Sequence, residues 1–309
     1  MKRTTAFRGI GLLAAALAGP AVAIAAAPEA SDLANDPATP ADVTTYGMGY
    51  GMQRHSQLRQ IDRTTVRRLV PVWNLSLASN HPQEAQPLLF DGVMYVTAVD
   101  STVALDAVSG RMLWKTALTL PQDVFAIACC GAHSRGAAIY EGKLFRGTLD
   151  AHVIALDLKT GKELWRQKAA DYTEGYSISG APVIADGVLI TGIAGGEYGI
   201  RGFLDGWNPD TGEHLWHRFT TAGPGEKGAN TWAGDNYLRG GAATWLTGTY
   251  DAEQGLVYWG TGNGGPWSPA LRNSGKLLDN LYINSVIAIR PKTGEIAWHY
   301  QFSPNDPFD

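Results

Sequence analysis

The chain has 309 residues, 45% of them hydrophobic and 17% charged, a balance that sustains a packed core and excludes a disordered chain. Its formal charge is −4, and downstream of the first ten residues no basic block is longer than Arg67-Arg68, which argues against nucleic acid as the main partner. Thirty-seven glycines and ten tryptophans suit a turn-rich all-β protein better than a helical one.

At the N-terminus, Lys2, Arg3 and Arg8 precede an apolar, Ala-rich stretch over residues 9–26. Small residues at Ala21-Val22-Ala23 and Ala25-Ala26-Ala27 offer cleavage sites, so residues 1–27 read as a secretory signal peptide. A signal anchor is the alternative, because the run approaches spanning length. No later segment is apolar enough to cross a bilayer, and the mature chain, 28–309, is expected in an oxidising, extracytoplasmic space. Next in order, Asp62 is placed to cap a short helix over 63–69 that Pro71 ends.

A repeat follows. ALDAVSGRMLW, ALDLKTGKELW, GWNPDTGEHLW and AIRPKTGEIAW end at Trp114, Trp165, Trp216 and Trp298, at intervals of 51, 51 and 82 residues. The long interval holds a divergent copy, TWLTGTYDAEQGLVYWGTG, and an insertion over about 264–284, and Trp73 looks like the end of an earlier copy. Asp91-Gly92, Glu141-Gly142 and Asp186-Gly187 sit between apolar runs as hairpin turns. Within each D-x-x-T/S-G the Gly supplies a positive φ, and the Trp that follows can pack on the neighbouring copy if its N–H finds an acceptor. Four short strands per repeat of this length is the signature of a propeller blade. The sequence therefore predicts an all-β protein, a β-propeller of roughly five blades or blade fragments that does not close, which reads as the front part of a longer ring.

Between the repeats lie residues that a bare scaffold does not require. Cys129 and Cys130 are adjacent and are the only cysteines; they read either as a strained disulfide kept at a functional site or as two reduced, buried small residues. CxxC spacing is absent, which argues against a metal site there. The segments ACCGAHSRG, GGEYGIRGFL, GGAATWLTGTYD, WGTGNGGPW and SPNDPFD occur in that order among the tryptophan repeats. In this they resemble the pyrroloquinoline quinone (PQQ)-dependent alcohol dehydrogenases, the quinoprotein methanol and ethanol dehydrogenase family, from about residue 46 to 309.

The resemblance implies an eight-bladed propeller of which about half is present, and it assigns roles residue by residue. Cys129-Cys130 is similar to the family's disulfide over one face of PQQ, and Trp245 to the tryptophan stacked on the other. Glu197 and Asn263 resemble the protein ligands of the metal, hard oxygen donors that suit Ca²⁺ or a lanthanide. Arg135 resembles the arginine that donates to the quinone oxygens, Glu84 and Ser179 the partners of the cofactor's polar edge, and Gly195 and Gly196 the glycines that let backbone approach it. Asp309 matches the last residue of the family's H-D-x-W-D motif, the catalytic base and a further metal ligand, although this chain has Asn305 for the His and Phe308 for the Trp. The implied reaction is oxidation of an alcohol by hydride transfer to metal-bound PQQ, with electrons passed on to a cytochrome c. A non-catalytic propeller scaffold and an inactive fragment of the enzyme are the competing expectations. A second Asp two residues after the catalytic one marks the lanthanide members, and the sequence ends before that position; no haem-binding CxxCH occurs in it.

Overall fold

The computed structural model describes residues 27–39 and 41–308, so residues 1–26 of the expected leader, and Asp309, lie outside the described residues. Sixteen strands form four antiparallel sheets of four, each in simple sequence order. The first blade holds β1 (Leu88–Phe90), β2 (Val93–Ala98), β3 (Ser101–Asp106) and β4 (Met112–Ala117). The second holds β5 (Ala138–Tyr140), β6 (Lys143–Gly147), β7 (His152–Asp157) and β8 (Glu163–Lys168). The third holds β9 (Val183–Ala185), β10 (Val188–Gly192), β11 (Phe203–Trp207) and β12 (His214–Phe219). The fourth holds β13 (Thr249–Asp251), β14 (Leu256–Gly260), β15 (Ser285–Ile289) and β16 (Ile296–Gln301). The all-β, propeller-type architecture expected from the repeats is what the chain adopts.

Local chemistry explains the hairpins. At Asp91-Gly92, Glu141-Gly142 and Asp186-Gly187 both residues have positive φ, from 45° to 75°, the conformation of a two-residue type I′ turn whose twist matches the flanking strands. Between the third and fourth strands the turn closes on a side chain instead: Asp106 Oδ1 accepts from the backbone N–H and the hydroxyl of Ser109, both at 2.7 Å. Asp157 does the same with Thr160.

That turn is also where the next blade attaches. Trp73 Nε1 donates to Ala107 O, Trp114 to Leu158 O and Trp165 to Pro209 O, each at 3.2 Å, and Trp216 to Pro291 O at 2.8 Å. Each indole lies flat over the turn glycine of the blade that follows it: a Cβ added at Gly110, Gly161, Gly212 or Gly294 would fall within 3 Å of the ring. The tryptophan of one copy thus packs on the C-terminal turn of the next. Core residues lie between sheets, with Phe145, Val153 and Ala155 of the second blade meeting Leu189, Phe203 and Trp207 of the third. Burial of this kind, about 25 cal/mol per Å² of apolar surface, holds the blades face to face.

Two expectations change in detail. The segment ending at Trp73 supplies the docking indole but forms no strand, and the divergent copy supplies β13 and β14 while AIRPKTGEIAW supplies β15 and β16, so five fragments become four blades. The helix expected over 63–69 shrinks to one 3₁₀ turn, Val66–Arg68, although Asp62 does accept the N–H groups of Thr64 and Thr65 as a cap would. Upstream, α1 (Ala30–Asn35) tucks Leu33 into the core between the second and third blades.

Candidate active site

Because the strands are antiparallel, the start of the first strand and the end of the second lie at the same end of each blade. Connectors entering a blade and loops between its second and third strands therefore open on one face. Every candidate residue among the described ones falls in one of these two classes. Glu84 enters the first blade; Cys129, Cys130 and Arg135 enter the second, Ser179 the third and Trp245 the fourth. Gly195, Gly196 and Glu197 lie between β10 and β11, and Asn263 lies between β14 and β15.

They enclose a cavity of about 510 Å³ lined by Cys129, Cys130, Arg135, Ser179, Gly195, Glu197, Trp245 and Asn263, which places most of the predicted set in one space. That volume falls in the range of cofactor pockets, about 300–1,000 Å³. Cys129 and Cys130 are joined as a vicinal disulfide, which settles the alternative left open by the sequence, and Cys130 takes a positive φ of 66°. Trp245 is 39% exposed, with the Arg135 guanidinium carbon 4.9 Å from its ring centroid.

Two predicted residues stand behind the cavity wall. Glu84 does not line it; one carboxylate oxygen lies 3.0 Å from Arg135 Nη2 and the other 2.9 Å from His133 Nδ1, the latter a close approach without hydrogen-bond alignment. The guanidinium is held from behind by that carboxylate, and the backbone N–H of Arg135 donates to Ser179 O at 2.9 Å, which ties the two connectors together. Gly196 is buried beneath the loop, whereas Gly195, at φ 117°, brings its backbone so close to Gly175 O that a Cβ would sit 2.0 Å away.

Five further residues line the cavity without having been singled out: His133, Ala194, Gly262, Asn284 and Asp306. His133 and Asp306 sit inside the quoted segments ACCGAHSRG and SPNDPFD, so their position was readable although their role was not. Asn284 closes the 264–284 insertion at φ 43° and donates its N–H to Gly262 O at 2.9 Å.

The donor set fits a hard cation. A Glu197 carboxylate oxygen lies within 4.8 Å of both cysteine sulfurs, and the Asn263 amide nitrogen is buried with no hydrogen-bond partner. A buried amide N–H₂ left without a partner is uncommon and calls for an acceptor, which an oxygen-rich anionic group in the cavity would supply, leaving Oδ1 as the oxygen donor. A carboxylate and an amide beside an indole, a disulfide and a guanidinium suit a flat, anionic, metal-chelating group better than a transition-metal centre of nitrogen and sulfur.

The insertion that contributes Asn284 also fixes the last described segment. Arg272, in α2 (Pro269–Arg272), is fully buried and spreads its guanidinium over Asn280 Oδ1 at 3.0 Å, Pro266 O at 2.7 Å and Asp306 O at 2.7 Å. Asn273, equally buried, donates to Asn305 Oδ1 at 2.5 Å. Residues 305 and 306 are thereby tied to the loop beside Asn263.

A β-propeller whose connectors gather a vicinal disulfide, an exposed indole and hard oxygen donors into one cavity defines the class of quinoproteins. The family model for the PQQ β-propeller domain of glucose, ethanol and alcohol dehydrogenases matches residues 44–309, and the chain belongs to that family. It is 43% identical over 297 residues to the quinoprotein alcohol dehydrogenase PedH of Pseudomonas putida, covering 90% of this chain and 49% of PedH. Among solved structures it is similar to the quinohemoprotein alcohol dehydrogenase ADHIIG of Pseudomonas putida HK5, with a TM-score of 0.88, 36% identity and coverage of 92% and 43%. It is likewise similar to a europium-containing methanol dehydrogenase, with a TM-score of 0.85, 33% identity and coverage of 90% and 52%. The chain spans about half the length of the curated relatives it matches.

Proposed function

We propose that these four blades form the PQQ- and metal-holding part of a periplasmic dehydrogenase that oxidises primary alcohols to aldehydes and passes the electrons to a cytochrome c. The observation that carries this reading is the single cavity whose walls combine the Cys129–Cys130 disulfide, Trp245 and Arg135 with Glu197 and Asn263. When bound, PQQ supplies a hydride acceptor, and Ca²⁺ or a lanthanide ion supplies a Lewis acid.

The residues of the chain do the positioning. Trp245 offers a flat apolar face and the disulfide an opposing wall, so a planar ring is oriented without hydrogen bonds. Arg135, steadied by Glu84, directs its donors into the cavity, where they oppose negative charge that grows during reduction. Ser179 and the Gly195 backbone border the polar edge, Gly196 keeps the loop beneath them compact, and Glu197 and Asn263 are the metal's protein ligands. Asp309 directly follows the tethered 305–308 segment and is assigned as the base that takes the alcohol's hydroxyl proton, with a share in the metal. Among the described residues no helix is long and apolar enough to cross a membrane, and the leader at residues 1–27 is the proposed route to the periplasm.

The test is PQQ titration of the full chain, in the presence of Ca²⁺ or La³⁺, followed by absorbance. Saturable, metal-dependent binding is expected, with Trp245→Ala weakening it about tenfold, since an aromatic stack contributes about 0.5–1.5 kcal/mol beyond burial. Glu197→Gln is expected to remove the dependence on metal. Binding indifferent to both changes would overturn the assignment.

A further inference from the structure

On the outer two strands of the third blade, among residues that do not line the cavity, three side chains converge. His214 Nε2 and His217 Nδ1 both lie against the same oxygen of Asp205, at 2.8 and 2.6 Å. Asp205 is 1% exposed, while the two imidazoles are half-open to solvent. We propose that Asp205, His214 and His217 form a second metal site, for a borderline divalent ion of the Zn²⁺ class, distinct from the hard-oxygen site of the cavity.

The other blades show that the fold does not require this trio. Asp205 pairs across the ladder with His217, and Trp207 with His214. The equivalent positions hold Val103, Lys115 and Met112 in the first blade, and Ile154, Arg166 and Glu163 in the second. The fourth has Ile287, His299 and Ile296. Where the others bury a β-branched hydrocarbon, the third blade buries a carboxylate, which is costly unless it is compensated.

Strand alternation alone would set His214 and His217 on opposite faces, because they are three apart. A bulge at Gly206/Trp207 adds one residue to β12 and returns His214 to the face of His217. Neighbouring rings then hold the imidazoles: Phe203 lies 4.4 Å and Phe219 4.3 Å from His217, and Trp207 lies 4.8 Å from His214. The possible ligand atoms all fall within 4.8 Å of one another. Two imidazoles and one carboxylate, with solvent on the remaining side, are the donors of an open, three-ligand site for Zn²⁺, Co²⁺, Ni²⁺ or Cu²⁺ and a poor match to Ca²⁺.

The experiment uses the full chain without a polyhistidine tag, stripped with chelator and then supplied with excess La³⁺ to occupy the cavity site. Titration with Co²⁺ is expected to develop ligand-field absorption that saturates at one equivalent and is displaced by Zn²⁺. His214→Gln/His217→Gln is expected to abolish the signal. Asp205→Asn, which keeps shape and a hydrogen-bond acceptor, is expected to weaken binding by at least about tenfold, the lower end of what even outer-sphere partners cost. A thermal melt of each variant confirms that it is folded. If the wild-type chain takes up no Co²⁺, or if a folded variant binds it equally well, the proposal fails and the trio is a hydrogen-bonded cluster only.

Discussion

Replacing Gly161 by Ala tests whether the tryptophan-on-glycine contact holds neighbouring blades together. Gly161 has φ +71°, and a Cβ there would lie 2.5 Å from Trp114 Cε3 and 2.7 Å from Thr116 Oγ1. The indole has little freedom to retreat, since its N–H is committed to Leu158 O at 3.2 Å. Two costs add: about 1–2 kcal/mol for an L-residue in the left-handed region, and about 1–3 kcal/mol for overpacking a fitted contact. Gly92 separates them, because it has φ +73° with nothing within 4 Å of its Cβ position. Gly92→Ala carries only the backbone cost. In a chain of this size 1 kcal/mol moves the melting temperature by about 2 °C, so Gly161→Ala is expected to melt roughly 2–6 °C below Gly92→Ala. The assay is a thermal melt followed by circular dichroism, checked by urea unfolding. Equal melting temperatures would show that the turn glycine is chosen for its φ alone and that the docking account is wrong.

Arg272→Met is expected to destabilise the chain by about 1–3 kcal/mol in urea unfolding, since the buried Asn280 Oδ1 and the part-buried carbonyls of Pro266 and Asp306 lose a charged donor. Proteolysis within 305–308 is expected to accelerate in the same variant, and a cost under about 1 kcal/mol would remove the clamp from the account. The Asp150 carboxyl is pushed up by burial, but hydrogen bonds from His152 and Thr148 outweigh that and leave it below the ordinary value of 3.8. A depressed carboxyl stabilises the fold above its unfolded value and loses that contribution as pH falls through the folded one. Stability is thus expected to decline below about pH 4, and Asp150→Asn to flatten that limb; an unchanged slope would refute the assignment.

The blade repeat was legible because it is carried by residues with no substitute at their positions: a glycine at positive φ and an indole that reaches across to the next turn. Blade number was harder to read. Trp73 carries the motif's indole but no strand, and the fourth blade is cut by residues 264–284, so one sheet looked like two copies. Cys129, Trp245, Glu197 and Asn263 were legible through the segments that hold them, and the antiparallel order of each blade explains why segments so far apart share a face. The link from Glu84 to Arg135 spans 51 positions and had no local signal. Asp205, His214 and His217 were invisible for another reason: strand periodicity separates the two histidines, and the bulge that reunites them, which recurs before the tryptophan of every blade, has no signature in apolar alternation.

The two ends of each blade divide the work. The docking turns between third and fourth strands lie at the opposite end from the cavity and at the outer margin, while the first strands, β5, β9 and β13, are the ones that approach one another near the axis. With strands about 4.8 Å apart, the outermost stands roughly 14 Å farther out than the innermost. Each indole latch is therefore a long lever that sets the angle between adjacent sheets. A slip of about 1 Å at the rim arrives at the axis demagnified, inside the roughly 0.5 Å that positioned chemistry tolerates. Since the cavity draws on the entrances of the second, third and fourth blades, its alignment is an angular property of the arc they form, and rim substitutions can erode stability well before they disturb the geometry at the centre.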